Sequence, residues 1–304
     1  MTEPTTARRR LLPLAPTRAP GAADRDRLLS GLRYVEVETS RYCNRTCLWC
    51  PNGHTDARRT QQLMNWAVFV KITAELGAAA FEGFLAFHNY NEPLANPRLR
   101  RELAHVRQTV PAAKPAIYTN GDLLNHAVLE QLRQDGVKYL RVTRYPHRAN
   151  VSPTFDALRS WLVKARIRDS FDWQFAEVRQ GLAATATDPR TEMLIEVIRP
   201  SIDTYNDRGG TALVPQPGLR TAVCRMTATS LSVDWRGQMK MCCNVVPEGP
   251  QHGEYVVGNV ADHTLAELWN HPTMTDWRAR HGRADWSRSP ACTTCVQALP
   301  ETRR

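Results

Sequence analysis

The sequence has no run of apolar residues long enough to cross a membrane. A spanning helix needs about 18 to 20 such residues, and the apolar stretch at residues 11–15 is too short even for the core of a signal peptide. Tandem repeats and low-complexity sequence are absent beyond the N-terminal arm. With 304 residues, 42% of them hydrophobic, we expect a soluble cytoplasmic protein with a substantial core and no membrane partner.

Acidic residues are scarcer than basic ones. The chain has 30 Asp and Glu against 40 Lys and Arg, which gives a net charge of +10. Such an excess can indicate a nucleic-acid partner. The arginines, however, are concentrated in the tail segments, without interleaved aromatic residues or a zinc-finger context. We therefore expect a solvated basic surface and no nucleic-acid partner.

Three cysteines, Cys43, Cys47 and Cys50, form a CxxxCxxC pattern directly after an extended stretch. Because a 4Fe-4S cube takes one thiolate per iron, three cysteines leave one iron open to a small molecule. Zinc usually takes four ligands that include CxxC pairs, and a disulfide framework needs a secreted, usually small chain. Both remain alternatives, but the pattern favours an iron-sulfur enzyme.

Five further cysteines lie near the C-terminus: Cys224, Cys242, Cys243, Cys292 and Cys295. Four of them could close the coordination of a second cluster, and the last two form a CxxC pair. We predict Cys242 rather than Cys243 as a ligand, because neighbours in a strand point to opposite faces. Structural zinc is the alternative at this second set.

Alternating strand and helix patterns predict an α/β fold of parallel strands covered by helices. The predicted strands are 34–39, 84–88, 116–119, 139–143, 173–178 and 202–205, and the predicted helices are 64–76, 97–108, 123–134, 152–167 and 189–198. The last helix is predicted because Asp188 is a good N-cap and Pro189 suits the first helical position. Six units are too few for a full eight-unit barrel, so we predict a partial (β/α)6 TIM barrel that is open on one side.

The pattern changes after Pro215. Residues 230–233 and 238–241 predict a β-hairpin, residues 265–271 predict a helix, and the Arg-rich segment that follows predicts coil. The expected organisation is a disordered arm at 1–27, the partial barrel at 28–215 and a small auxiliary-cluster domain at 216–304. The arm is predicted from four prolines and several arginines without apolar periodicity.

Polar residues follow the second and third predicted strands, at the edge where barrel enzymes place their chemistry. Residues 88–93 read His-Asn-Tyr-Asn-Glu-Pro and residues 118–122 read Tyr-Thr-Asn-Gly-Asp. Simple turns are the alternative for both segments. Glu36 and Glu38 share one face of the first strand, where buried carboxylates indicate an amine-bearing ligand or an internal salt bridge to an arginine.

Together, the CxxxCxxC pattern, these two loops, residues 206–210 and the spacing from Cys224 to Cys242 resemble the radical S-adenosylmethionine (SAM) enzymes with a twitch or SPASM-type C-terminal domain. The likeness extends to the radical SAM dehydrogenases of aminoglycoside biosynthesis and covers about residues 34 to 297. It implies that SAM completes the cluster at the first three cysteines. It also implies a second 4Fe-4S cluster held by Cys224, Cys242, Cys292 and Cys295.

The resemblance implies oxidation of a secondary alcohol of an aminocyclitol or amino sugar to a ketone, with the auxiliary cluster accepting the second electron. It further implies a flavodoxin- or ferredoxin-type electron donor. By the same resemblance, the catalytic candidates are Glu36, Tyr118 and Arg208, and the cofactor-binding candidates are Tyr90, Asn91, Glu92 and Asn120. Two departures, a longer segment at 151–200 and Cys243-Asn244 in place of an aromatic and an acidic residue, predict a different and larger substrate.

Three rival functions remain open. A radical SAM epimerase or dehydratase on the same substrates is the first, with the spare thiol of Cys243 as hydrogen donor for epimerisation. A SPASM-type enzyme that modifies a ribosomal peptide is the second, although the N-terminal arm is too short and unpatterned for a peptide-recognition domain. An electron-transfer or structural iron-sulfur protein is the third, and the open iron disfavours it.

Overall fold

One ten-stranded sheet runs through the chain. The structure is a computed structural model that describes residues 31–53, 60–146, 151–212, 214, 218–249 and 251–296. The strands are β1 (Tyr34–Val37), β2 (Phe84–Ala86), β3 (Lys114–Thr119), β4 (Tyr139–Thr143), β5 (Gln174–Val178), β6 (Gly181–Thr187), β7 (Leu194–Pro200), β8 (Ser230–Val233), β9 (Gln238–Lys240) and β10 (Val256–Asn259). The predicted arm at 1–27 lies outside the described residues.

The strand order is β10-β9-β8-β1-β2-β3-β4-β7-β6-β5. Six neighbouring strands, from β8 to β7 in this order, are parallel. Antiparallel strands extend both sides, β9 and β10 on one and β6 and β5 on the other. Because the carboxyl ends of the parallel strands meet at one edge, the loops that follow them converge there.

The helices cover this sheet. They are α1 (Trp66–Ala78), α2 (Leu99–Thr109), α3 (His126–Gln134), α4 (Phe155–Lys164), α5 (Met226–Thr229), α6 (Leu265–Trp269) and α7 (Pro272–His281). In α1 the buried residues Phe69, Ile72 and Leu76 recur every three to four positions, so they form one face against the core. Among the described residues, no helix has the length and apolar character needed to span a membrane.

Asparagine and threonine side chains start several of these helices. The Asn65 side chain accepts a hydrogen bond from the Ala67 amide, and Asn125 and Thr154 cap α3 and α4 in the same way. The strands between them are apolar on one face, while alternate residues such as Glu36, Tyr118 and Arg141 line a cavity on the other. Val35, Leu85, Ile117 and Leu140 are completely buried, as expected for parallel strands covered by helices.

The incomplete parallel α/β fold predicted from the sequence is confirmed. The observed β1, β2, β3 and β4 and the helices α1 to α4 lie where the sequence pattern predicted them, and β4 has the predicted bounds. Six strands are parallel, but the fifth is β7, most of which was predicted as helix, and the sixth is β8, which pairs with β1 and follows Pro215. The sheet is therefore continuous across the predicted boundary at 215/216, and the three-part division stays a prediction.

Two predicted elements near residue 200 are wrong. Residues 189–198 do not form a helix: β7 occupies Leu194–Pro200 and pairs with β6 in a hairpin. Asp188 caps a tight turn instead, where its carboxylate accepts from the Arg190 amide and the Thr191 hydroxyl. Residues 202–205 form a short 3-10 helix (Ile202–Thr204), not a strand.

The predicted strand at 173–178 exists as β5, but it is antiparallel and lies at the sheet edge. The C-terminal hairpin of β8 and β9 and the helix α6 are observed as predicted. The Arg-rich segment, predicted as coil, contains α7. Its arginines serve packing, since the Arg278 guanidinium lies 3.9 Å from the centre of the Trp269 ring.

Candidate active site

A cavity of about 380 Å³ is lined by the loops at the carboxyl ends of β1 to β4 and by Tyr205, Asn206 and Arg208. It brings together ten of the predicted site residues: Glu36, Cys43, Cys47, Cys50, Tyr90, Asn91, Glu92, Tyr118, Asn120 and Arg208. The three-cysteine loop and the polar strand ends thus face a common space, which places the candidate cofactor and substrate residues side by side.

A second, smaller cavity of about 20 Å³ lies among the later cysteines. It is lined by all four of the predicted auxiliary ligands, Cys224, Cys242, Cys292 and Cys295. Cys243 does not line it and lies on the first cavity instead. Met226 lines both cavities, so the two groups of cysteines lie on either side of a shared wall.

The three-cysteine loop is fixed to the end of β3. Arg45 forms a two-pronged salt bridge with Asp122, and Asn120 Nδ2 donates to Asn44 Oδ1 at 2.7 Å. Partial burial would raise the pKa of Asp122, but hydrogen bonds from Arg45 and Arg144 lower it to about 2. The loop is therefore held by a carboxylate that stays ionised at any working pH.

Cys43 and Cys47 are too buried to ionise unaided. Burial raises the pKa of Cys43 to about 12 and that of Cys47 to about 11. A bound iron-sulfur cluster supplies the positive charge that a thiolate needs at such a site. Three thiols line the larger cavity and four line the smaller one, which are the numbers of thiolates that an open and a closed 4Fe-4S cluster take. As the described side chains lie, no three of them from His, Cys, Asp or Glu are grouped closely enough to hold a metal ion.

Two cofactor candidates already have internal partners. The carboxylate of Glu92 accepts from the Leu94 amide, the Thr119 hydroxyl and the Asn120 amide at 2.6 to 3.0 Å. Asn91 donates to the Ser40 hydroxyl and to the Phe87 carbonyl. The capped-turn alternative thus describes the local role of Glu92 correctly, while the residue also lines the cavity.

Glu36 is a candidate whose pKa is strongly altered by its surroundings. Burial raises its pKa to about 7, against the opposing effects of the Lys240 charge and the Ser232 hydrogen bond. Asn89 Nδ2 and Ser232 Oγ donate to Glu36 Oε1 at 2.7 and 2.8 Å. The carboxyl group is therefore balanced between its two protonation states near neutral pH. Its main cation is the buried Lys240, not an arginine.

His88 lies against Glu36, with Nε2 3.3 Å from Glu36 Oε2. Burial, together with the charges of Arg208, Arg141 and Lys240, lowers the pKa of His88 to about 3. The imidazole is thus neutral, and the contact is not an ion pair. Its ring stacks on Tyr118 with 4.0 Å between centroids, which fixes both rings in the cavity wall.

Arg208 enters the cavity from a strained loop. Its φ is +55°, and Gly209 and Gly210 continue with positive φ. A side chain at Gly209 would meet His252 and Ala291 at 3.0 to 3.1 Å, so glycine is needed there. The guanidinium donates to Asn244 Oδ1 at 3.1 Å and to the Tyr205 hydroxyl at 3.2 Å.

Sequence reasoning missed Asn206 and His88 as site residues. Asn206 is only 3% exposed and lines the cavity, yet neither atom of its amide has a hydrogen-bond partner among the described residues. His88 Nδ1 is likewise buried and unpaired within the described part of the chain. Both lie inside segments that the sequence singled out, but only the fold reveals which of their atoms lack partners.

Comparison with known proteins places this site in a class. Residues 224–296 match the SPASM family, an iron-sulfur cluster-binding domain. This match confirms the predicted C-terminal domain type and favours a cluster over zinc at the second set of cysteines. The matched segment contains all four residues that line the smaller cavity.

The whole chain also has relatives. The S-adenosyl-L-methionine-dependent 2-deoxy-scyllo-inosamine dehydrogenase of Niallia circulans is 24% identical over 268 residues, which cover 88% of this chain and 94% of the relative. The crystal structure of BtrN with AdoMet and 2-DOIA has a TM-score of 0.64 at 23% identity and covers 88% of this chain and 94% of BtrN. An open conformation of BtrN has a TM-score of 0.59 at 20% identity, with 89% and 95% covered. The predicted resemblance is confirmed, and the fold is shared.

Proposed function

We propose that this protein is a radical SAM dehydrogenase. It oxidises a secondary alcohol of an aminocyclitol or amino sugar to a ketone in aminoglycoside-type antibiotic biosynthesis. The observation that carries the proposal is the convergence of Cys43, Cys47 and Cys50 with Glu36 and Arg208 on one cavity, next to four further cysteines. The name of the Niallia circulans relative and the AdoMet and 2-DOIA bound to BtrN support it.

The cofactors follow from the donor sets. Cys43, Cys47 and Cys50 would hold a 4Fe-4S cluster with one iron open to SAM, and Cys224, Cys242, Cys292 and Cys295 would hold the auxiliary cluster. When bound, the first cluster and SAM supply the radical that removes the carbinol hydrogen, and the auxiliary cluster takes up the remaining electron. The candidates for contact with SAM line the same cavity as these three cysteines, and they are Tyr90, Asn91, Glu92 and Asn120.

Four residues of the cavity have separate roles in this proposal. Arg208 keeps its proton at any working pH, so it binds and orients the reacting oxygen and stabilises negative charge on it. Glu36 accepts the hydroxyl proton, because its pKa of about 7 leaves much of it ionised at neutral pH. Neutral His88 holds Glu36 in place without competing for the proton. Tyr118 contributes its ring to the cavity wall, with one face stacked on His88.

The β6-β7 hairpin supports a substrate larger than a single small ring. Gln180, Ile198 and Pro200 come from this part of the chain, and all three line the cavity. Gln180 also accepts a hydrogen bond from Arg141, a half-buried cation that lines the cavity as well. A polar surface with both cations and carboxylates suits a pseudodisaccharide or a related amino sugar.

Anaerobic reconstitution followed by mass spectrometry tests the proposal. Reduced holoenzyme with SAM should yield 5'-deoxyadenosine and a product that has lost two hydrogens from one of a panel of aminoglycoside intermediates. Cys47→Ala should abolish both products, since it removes a ligand of the first cluster. Absence of SAM cleavage, or turnover of a peptide but of no amino sugar, would contradict the proposal.

A second candidate function is favoured by the position of Cys243. Cys243 lines the substrate cavity and not the smaller one, although its thiol is hydrogen-bonded to that of its neighbour Cys242. In an epimerase the carbon radical takes a hydrogen atom from the thiol: the S–H bond breaks, a C–H bond forms on the opposite face, and a sulfur radical remains. One electron from the reduced flavodoxin- or ferredoxin-type donor and one proton then restore the thiol.

Isotopes distinguish the two candidates. In D2O the epimerase route gives a product with one deuterium and no loss of hydrogen, while dehydrogenation gives the ketone and dehydration gives loss of water. Cys243→Ala should abolish epimerisation but leave ketone formation in place. For either activity we propose a cytoplasmic location and a flavodoxin- or ferredoxin-type donor, since exposed clusters need a reducing compartment.

A further inference from the structure

Asn244 lies between Arg208, which lines the larger cavity, and Cys295, which lines the smaller one. It is 6% exposed and follows Cys243 directly. Its Oδ1 accepts a hydrogen bond from Arg208 Nη1 at 3.1 Å, and its Nδ2 donates to Cys295 Sγ at 3.4 Å. The residue thus touches both the arginine of the proposed alcohol site and a ligand of the proposed auxiliary cluster.

Only an amide side chain can serve both neighbours at once. The Arg208 guanidinium has donors but no acceptor, so the oxygen of Asn244 must face it. The sulfur of Cys295 is an acceptor as a thiolate, so the NH2 group must face the sulfur. An aspartate would keep the bond to Arg208 but would bring a second negative group against the thiolate.

A donor to a cluster sulfur changes the potential of the cluster. Hydrogen bonds to the sulfurs are among the factors that set the reduction potential of iron-sulfur clusters. A reduced cluster carries one more negative charge than an oxidised one, so an N–H donor stabilises the reduced form more and raises the potential. A raised potential is the property that an electron acceptor beside the substrate requires.

We infer that Asn244 is a positioning residue that both orients Arg208 and raises the reduction potential of the auxiliary cluster through Cys295. The inference rests on the proposed function. The Asn244 amide therefore fixes the position of Arg208, which binds the reacting oxygen, relative to the auxiliary cluster, which takes the electron. Replacement of the residue should therefore change a redox property as well as turnover.

Redox titration of the reconstituted holoenzyme, followed by electron paramagnetic resonance, tests the inference. Both Asn244→Asp and Asn244→Leu should shift the auxiliary cluster about tenfold towards the oxidised form at a given potential, which is 59 mV for a one-electron couple. Asn244→Asp keeps a hydrogen-bond partner for Arg208, so the activity that this variant loses should appear as a lower kcat. Asn244→Leu frees Arg208 and should also raise KM.

Tyr205→Phe is the matched control. It removes the other hydrogen bond of Arg208, from Nη2 to the Tyr205 hydroxyl at 3.2 Å, and leaves the Asn244 to Cys295 contact in place. It should raise KM and leave the potential unchanged. An unchanged potential in both Asn244 variants would overturn the inference. Wild-type protein in which iron analysis finds no second cluster would instead overturn the proposed function.

Discussion

Glu36 is a buried carboxyl group whose environment predicts a pH profile. Burial raises its pKa to about 7, while the charges of Lys240 and Arg208 lower the pKa and that of Glu38 raises it further. Because only the ionised form can accept a proton, the active fraction rises as pH increases through about 7. We expect kcat to fall by about tenfold per unit below that pH. Turnover of the reconstituted enzyme between about pH 5.5 and 8.5, measured with a constant supply of reductant, tests this expected fall in kcat.

Glu36→Gln tests whether the Glu36 carboxylate causes the fall in kcat on the acidic side of the profile. The amide keeps the size of the side chain and cannot take the proton, so kcat should fall by about 10² or more and lose its dependence on pH near 7. Cleavage of SAM should continue. An acidic limb near pH 7 that persists in the glutamine variant would show that another group accepts the proton.

Asn206 provides a prediction that separates binding from folding. An unpaired buried amide costs about 1 to 3 kcal/mol per group, and nothing within the described residues offsets that cost. If substrate is the missing partner, Asn206→Leu should raise KM by roughly 5- to 30-fold, which corresponds to about 1 to 2 kcal/mol. The melting temperature should stay the same or rise.

Asn91→Leu is the matched control for this change. Asn91 is also a buried asparagine on the cavity, but its amide donates to Ser40 and Phe87 and accepts from the Asn89 amide. Its replacement should therefore lower the melting temperature. A similar loss of stability in the Asn206 variant, with KM unchanged, would contradict a role in substrate binding.

At the scale of the elements, prediction from sequence worked where a single periodicity dominates. The buried strand β4 and the amphipathic helix α3 were located because apolar residues repeat with the period of each structure. Between 181 and 200 two signals conflict. The Asp188-Pro189 pair resembles a helix start, but the alternating Ile195, Val197 and the β6 partner favour a hairpin. Pairing with β4 decides the outcome, and such a partner cannot be read from a local pattern.

The loop that carries the first three cysteines depends on the Arg45 to Asp122 clamp, which predicts an effect on cluster retention. Asp122 also accepts from Arg144, so a single carboxylate serves two guanidiniums. Asp122→Asn should loosen the loop by about 1 kcal/mol, a modest value because the pair is partly exposed. Iron at the first cluster should be lost faster on exposure to a chelator, with the auxiliary cluster unaffected.

Asp156→Asn is the control for the clamp. It makes the same chemical change in an exposed pair with Arg159 on α4, far from the cysteines in sequence. Iron retention should match that of the unaltered protein. Equal rates of iron loss in the two variants would mean that the clamp does not hold the loop.

At the scale of the whole molecule, the sheet explains why so much of the site was predictable. Motifs that follow successive parallel strands must converge at one edge of the sheet. Most residues of the cavity wall therefore lie in motifs that can be recognised in the sequence. Convergence of the motifs did not reveal the roles of Asn206, His88 and Asn244, because those roles depend on which hydrogen-bond partners their side-chain atoms lack or share. The C-terminal strand β8 then joins the same sheet beside β1, which brings the later cysteines next to the cavity.

Because one sheet carries both groups of cysteines, we expect that one cluster can be removed by a substitution without disturbing the fold around the other. Cys292→Ala removes a ligand of the auxiliary cluster while Cys43, Cys47 and Cys50 stay intact, so iron should fall from about eight to about four per chain. Cleavage of SAM should persist, but ketone formation should be lost because the substrate radical has no electron acceptor. Cys243→Ala, the same substitution at a cysteine outside the smaller cavity, should keep about eight irons. Full ketone yield from protein that lacks the second cluster would refute its role as acceptor, since the remaining electron would then have left by another route.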